Sequence, residues 1–298
     1  MCRPFVLYLV AGLSACGGGP VPAPPTVSPD GAAAVPVTLA HPAPQASVNA
    51  ATAWAGRIDR FSVAKAIDGY KRETEITPGD PAPLIALARA YVFFADNHLR
   101  TTADRAARSD ALESAMDTSE KGLLASSPAF AAAVEAGQPI DKAIDACDAS
   151  AAPALAAYGT ALARYGLDKG FTALLMYKAR IIAAMQRVLA VAPDTQYAAA
   201  DRELGSFYAC TPSFAGGDLA KSRMHFDKAI ERAPQALETR LRYAETYAVA
   251  SHDRALFAHL LQEIQDADAG ASEIYPDNYL VKKRAALLAL SINELFLP

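Results

Sequence analysis

Apolar and polar positions change character once along this chain. Before about residue 50 they follow no period. From about Arg57 onward, apolar residues recur at steps of three and four. Leu84, Leu87, Ala88, Tyr91, Val92 and Ala95 form one such series. Leu174, Tyr177, Ile181, Met185, Val188 and Leu189 form another. That spacing lines up one face of a helix. The ends of the periodic runs are marked. Asp80-Pro81 supplies a cap and a first-turn proline, and Pro276-Asp277 opens the last helical region. Thr77-Pro78, Ser127-Pro128, Ala192-Pro193 and Ala233-Pro234 each end a run, because proline lacks the amide that would continue the helix. No stretch alternates as a half-buried strand would. The pattern predicts an all-α fold of roughly ten helices in antiparallel pairs.

Some of the periodic segments echo one another. The stretch from Ala220 through Phe226, Ala229 and Ile230 to Pro234 resembles the second helix of a tetratricopeptide repeat, with small alanines at the close crossing, one aromatic knob and a terminating proline. Leu204-Gly205 with Phe207-Tyr208 resembles the matching first helix, where Gly205 permits close approach. Ala64-Lys65-Ala66-Ile67 with Tyr70, and Met176-Tyr177 with Ala179, echo the second-helix pattern. The terminating prolines lie 41 residues apart (Pro193 to Pro234) and 50 apart (Pro78 to Pro128). A regular array repeats every ~34 residues. The expected architecture is therefore a tetratricopeptide-like α-solenoid with irregular, expanded repeats, spanning residues 51–298.

The aperiodic N-terminus has its own logic. An apolar run from Phe5 to Leu13 follows Arg3. It is shorter than the ~20 residues that span a bilayer, and it fits the apolar core of a secretory signal. It closes on Leu13-Ser14-Ala15-Cys16, which resembles the lipobox of bacterial lipoproteins at all four positions. Residues 1–15 read as a signal peptide, and Cys16 as the lipid-accepting residue. Two acyl chains suffice for stable attachment. Gly17 follows where Asp would favour retention at the inner membrane, so an outer-membrane location facing the periplasm is favoured. Residues 16–50 are rich in Pro and Ala and nearly free of charge. Pro20, Pro22, Pro24, Pro25, Pro29, Pro36, Pro42 and Pro44 forbid a helix there. The segment is expected to be a disordered tether.

The candidate chemistry beyond Cys16 is thin. A net charge of −4 gives no sign of a nucleic-acid partner. Cys147 and Cys210 are open to two readings, a disulfide or two free thiols, since export permits either. His41, His98, His225, His252 and His259 show no zinc-type spacing, so no metal is expected. No phosphate loop or nucleophile elbow occurs. Gly216-Gly217 reads as a turn that opens a helix capped by Asp218. Asp104, Asp110, Glu113 and Glu120 read as solvated surface. No catalytic residue and no cofactor is expected. The aromatics Tyr91, Phe93, Phe94, Phe207, Tyr208, Phe214, Tyr243, Tyr247 and Phe257 read mainly as core, with an apolar groove as the alternative use.

The C-terminal half resembles a known family. The block Phe214-Ala215-Gly216-Gly217 through Phe226 to Ala229-Ile230 is followed by Tyr243-Ala244-Glu245 and Tyr247. Asp253-Arg254 with Phe257, Leu260-Leu261, Asn278, Lys283-Arg284-Ala285, Leu287-Leu288 and Glu294-Leu295-Phe296 come in order after it. These are similar to the T-component (TatT) lipoproteins of tripartite ATP-independent periplasmic (TRAP) transporters. The likeness covers about residues 60–296. It implies a helical accessory protein of a solute uptake system, without enzymatic activity, working beside a periplasmic solute-binding protein and the transporter subunits. It also implies oligomers with central openings that pass small ligands. Asp253, Arg254, Asn278 and Arg284 are the polar residues in the matching blocks, and helix–helix bonding is their favoured role over ligand contact. Where the family carries an aromatic pair after Ala-Leu, this chain has Ala154-Leu155-Ala156-Ala157, which counts against an aromatic-lined cleft there. The alternative reading is a tetratricopeptide-like interaction scaffold of the cell envelope.

Overall fold

A computed structural model describes residues 49–271 and 273–296. The expected signal peptide, Cys16, His41 and nearly all of the expected tether lie outside the described residues. The rest is helical: α1 (Ala50–Ala55), α2 (Arg60–Ile76), α3 (Pro81–Asn97), α4 (Arg105–Ser126), α5 (Pro128–Glu135), α6 (Ile140–Ala143), α7 (Ala152–Lys169), α8 (Phe171–Val191), α9 (Thr195–Cys210), α10 (Leu219–Arg232), α11 (Leu237–Tyr243), α12 (Arg254–Asp266), α13 (Tyr275–Ala289) and α14 (Ile292–Leu295). Short 3₁₀ turns join several of them, and a π-helical turn at Ala244–Ala248 extends α11. No strand occurs among the described residues. Helices outnumber the expected ten because α1, α5, α6 and α14 are too short to show a period.

The punctuation read from the sequence falls where expected. Asp80 accepts from the Ala82 amide at 2.9 Å and caps α3. Asp218 accepts from the Lys221 amide at 3.0 Å and caps α10. The Pro78, Pro128, Pro193 and Pro234 pairs each lie just past the end of a helix. One junction is not legible from the sequence. At the head of α9, Gln196, Tyr197 and Ala198 take left-handed φ values of 50°, 57° and 54°, which disfavours each residue by ~1–2 kcal/mol.

Consecutive helices pack against one another, and the core forms in patches along the chain. α1, α2 and α3 enclose Val63, Ile67, Tyr70 and Leu87. α4 through α9 enclose the largest patch, with Leu123, Phe130, Leu155, Tyr158, Ile181 and Met185. α10 through α13 enclose Phe226, Leu241, Phe257 and Ile264. Close helix contacts use the small residues. A Cβ on Gly205 of α9 would stand 2.9 Å from the Phe226 ring of α10, and one on Gly166 of α7 would stand 2.9 Å from the Leu174 Cα of α8. Glycine allows both approaches, at a penalty of ~1 kcal/mol in helix propensity. Cys147 is a buried free thiol, so a disulfide between it and Cys210 does not form.

The array also closes on itself. Arg57, after α1, bonds the Asp277 carboxylate and the Glu273 carbonyl at the head of α13. Arg284 of α13 reaches Asn97 of α3 at 3.4 Å. These bonds join the two ends of the described chain.

Candidate functional site

The interior between the two ends is charged. Asp96, near the end of α3, accepts from three guanidiniums: Arg108 of α4 at 3.2 Å, Arg164 of α7 at 2.9 Å and Arg242 of α11 at 2.6 Å. Arg164 turns its other two nitrogens onto Glu203 of α9, at 2.7 and 2.8 Å. This is the bidentate fork that makes Arg–carboxylate pairs strong. The Arg164 side chain is 5% exposed and that of Glu203 is 1% exposed.

Helical spacing supplies the rest of this hub. Glu238 and Arg242 sit four residues apart on α11 and bond at 2.7 Å, and the π-helical turn carries Glu245 beside them. Arg242 lies 3.7 Å from Glu245. Arg284 crosses from α13 to Glu238 at 3.0 Å and to Glu245 at 3.4 Å. Arg202 stands behind Glu203, 3.9 Å from its carboxylate, and bonds the Tyr197 carbonyl at 3.1 Å. That bond fastens the left-handed turn of α9 to the hub. Arg100 reaches in from the α3–α4 connection and donates to the Asp96 carbonyl at 3.0 Å.

The surroundings fix the charge states. Burial alone would raise the Asp96 carboxyl, but Arg242, Arg164 and Arg108 outweigh it and hold it well below 3.8. Glu238 is likewise pushed up by burial and pulled further down by Arg284 and Arg242, below 4.5. Arg242 is disfavoured by burial, yet Asp96, Glu238 and Glu245 raise it well above the usual guanidinium value. The hub therefore stays ionised at neutral pH. Beside it, a narrow crevice of about 10 Å³ lies between Leu167, Leu174, Phe207 and Cys210, with Arg164 and Glu203 among its lining residues.

A second buried pair lies nearby. His225 of α10 meets Asp201 of α9 at 2.8 Å and stacks on Tyr208. The adjacent Ser222 hydroxyl donates to the Gly205 carbonyl at 2.7 Å. Among the described residues, no group of three or more His, Cys, Asp or Glu side chains could hold a metal ion. No described helix is long and apolar enough to cross a membrane.

With this geometry in view, comparison with known proteins is informative. A family model described as the TRAP transporter T-component matches residues 78–296. The chain belongs to that family. T-component membership assigns it an accessory role in a TRAP system, associated with the transporter's subunits and located at the cell envelope. No curated protein matches the chain.

The four polar residues from the resembling blocks separate into two kinds. Asp253 caps α12 through the Leu256 amide at 2.9 Å. Arg254 bonds Asn293 at 2.8 Å. Asn278 is buried, accepts from the Leu237 amide and donates to the Gln235 and Ala269 carbonyls. Arg254 and Asn278 tie separate helices together, while Asp253 starts its own. Arg284 alone belongs to the hub. Ala154, Leu155, Ala156 and Ala157 are all buried in the core. Phe214 departs from the core reading: it is 83% exposed and meets Phe171 edge to face. Asp104 departs from the surface reading, since its side chain is 13% exposed, paired with Arg60 and bonded to Thr101.

Reading the sequence for motifs missed Asp96, Arg100, Arg108, Arg164, Arg202, Glu203, Arg242 and Glu238. A signal was present in two of them. Arg164 is the first charge in α7, an otherwise Ala- and Leu-rich helix, and Asp96 sits at the end of the apolar run Tyr91–Ala95. A lone charge on an apolar face is seldom buried unless it is paired.

Proposed function

We propose that this T-component is a membrane-anchored periplasmic lipoprotein that works with a solute-binding protein in a TRAP-type uptake system. The observation that carries this is the family match across nearly the whole described domain. The lipobox-like Leu13-Ser14-Ala15-Cys16 supports attachment through Cys16, and Gly17 favours the outer membrane. The Pro-rich segment to about residue 50 is a tether that lets the helical domain meet a soluble partner.

The helical domain itself reads as an irregular tetratricopeptide-like solenoid, supported by the α9–α10 pair with Phe226 seated over Gly205. Its inner side is held by charges, so the domain acts as a rigid platform on its partner and carries no catalytic centre. Affinity capture from detergent-solubilised envelopes tests the reading. Co-recovery of a solute-binding protein and transporter subunits is expected, together with label from a radioactive fatty acid in the wild type and none in Cys16→Ala. Capture of envelope-assembly proteins without transport proteins would favour the scaffold reading instead.

A further inference from the structure

The hub is tight at one end and loose at the other. Around Asp96, Arg164 and Glu203 the charge-assisted bonds run from 2.6 to 2.9 Å apart from the 3.2 Å contact with Arg108. Around Glu245 they lengthen to 3.4 and 3.7 Å. At this loose end the Arg284 Nε is buried and has no hydrogen-bond partner. Arg100 lies within electrostatic reach of Arg284, and its one bond is to a carbonyl. Among the described residues, no carboxylate lies within ion-pair distance of Arg100.

The formal charges do not balance either. Arg100, Arg108, Arg164, Arg202, Arg242 and Arg284 face Asp96, Asp168, Glu203, Glu238 and Glu245. One positive charge is left over. Arginine does not relieve such a surplus by losing its proton near neutral pH, and a buried uncompensated charge is strongly unfavourable. An anion between the guanidiniums removes the imbalance and supplies an acceptor to the orphan Nε.

We propose that the loose end of the hub, between Arg100 and Arg284, binds one small monovalent anion, a halide or a single carboxylate group. Burial, and after it the Arg284 charge, bring Arg100 down to about 10 against the opposing pull of Glu245 and Asp96. The anion locks the α3–α4 connection to α13, and so closes the ring of helices from within.

Thermal unfolding of the full chain at constant ionic strength tests this, with fluoride exchanged stepwise for chloride or for acetate. Saturable stabilisation by chloride, acetate or both is expected, and the two arms separate a halide site from a carboxylate site. In Arg100→Gln the dependence is expected to vanish, with a melting temperature in fluoride at or above that of the wild type. The same dependence persisting in Arg100→Gln, or no saturable dependence in the wild type, would overturn the proposal. Wild-type crystals soaked in sodium bromide give an independent reading: an anomalous peak in contact with Arg100 and Arg284 supports the site, and a map without one sinks it.

Discussion

Helix α9 is held on two sides by opposite means. At Gly205 it takes the ring of Phe226, which is fully buried, by shape alone. Two residues earlier, at Glu203, it takes Arg164 by charge, with both groups almost out of water. The apolar joint works through contact and tolerates small shifts. The charged joint must overcome the desolvation of both ions, and it succeeds because the fork is bidentate and Asp96 shares the same guanidinium. The two joints also differ in reach. Phe226 lies on the next helix, whereas the hub bonds couple residues 39, 146 and 187 positions apart. Local apolar packing builds the helix pairs, and buried charge ties distant pairs into one body.

The sharpest way to break this contrast is to remove one ion. Arg164→Met leaves Glu203 buried without its bidentate partner and Asp96 with two guanidiniums in place of three, and is expected to lower stability by about 3–5 kcal/mol in urea unfolding. Adding Glu203→Leu is expected to recover a large part of that loss, because a buried pair replaced by apolar groups is often nearly neutral. A double variant as unstable as the summed single variants would show that the pair is held by its surroundings and not by itself.

Acid probes the same joint without mutation. Asp96 and Glu238 have folded pKa values below their ordinary 3.8 and 4.5. The unfolded chain therefore binds protons first as pH drops. Their contribution is present in full above those ordinary values and is lost as pH falls through them toward the folded values. Urea midpoints measured from pH 6 down to pH 3 are expected to decline steeply in the wild type. In Asp96→Asn, which is less stable at pH 6, the decline should be shallower.

The apolar joint is expected to respond less. Gly205→Ala gains helix propensity but drives a methyl against the Phe226 ring, for a net loss of about 1–2 kcal/mol. Phe226→Leu in the same chain should relieve part of it, since a smaller side chain opens the space the methyl needs. The smallest effect belongs to an exposed ion pair of the same chemistry. Asp194, 81% exposed, meets Arg232 at 3.3 Å. Asp194→Ala is expected to change stability by no more than ~0.5 kcal/mol. A loss as large as that of Arg164→Met would show that burial is not what separates the two kinds of charge.

The helices were largely legible in advance, because a 3.6-residue period, a capping Asp and a terminating Pro are local facts. Asp80, Asp218 and the prolines at 78, 128, 193 and 234 delimit helices in the structure as they do in the sequence. The Gly205–Phe226 crossing was legible too, since both residues stand in one short repeat-like block. The left-handed turn at Gln196–Ala198 was not, because none of its residues is one that favours that conformation. The hub was nearly invisible. Asp96, Arg164 and Arg242 are each an ordinary charge among helical neighbours, and no spacing relates residues that lie 68 or 146 positions apart.

By itself, then, the amino-acid order determined the all-helical class, most of the helix boundaries and the family, all of which depend on neighbours within a few turns. Only the tertiary structure decided that the array closes on itself, that Cys147 forms no disulfide with Cys210, and that charges from distant helices meet in one buried cluster. Those outcomes depend on which faces meet across the fold. A charge has the same local pattern whether it ends in water or against a partner from the far end of the chain.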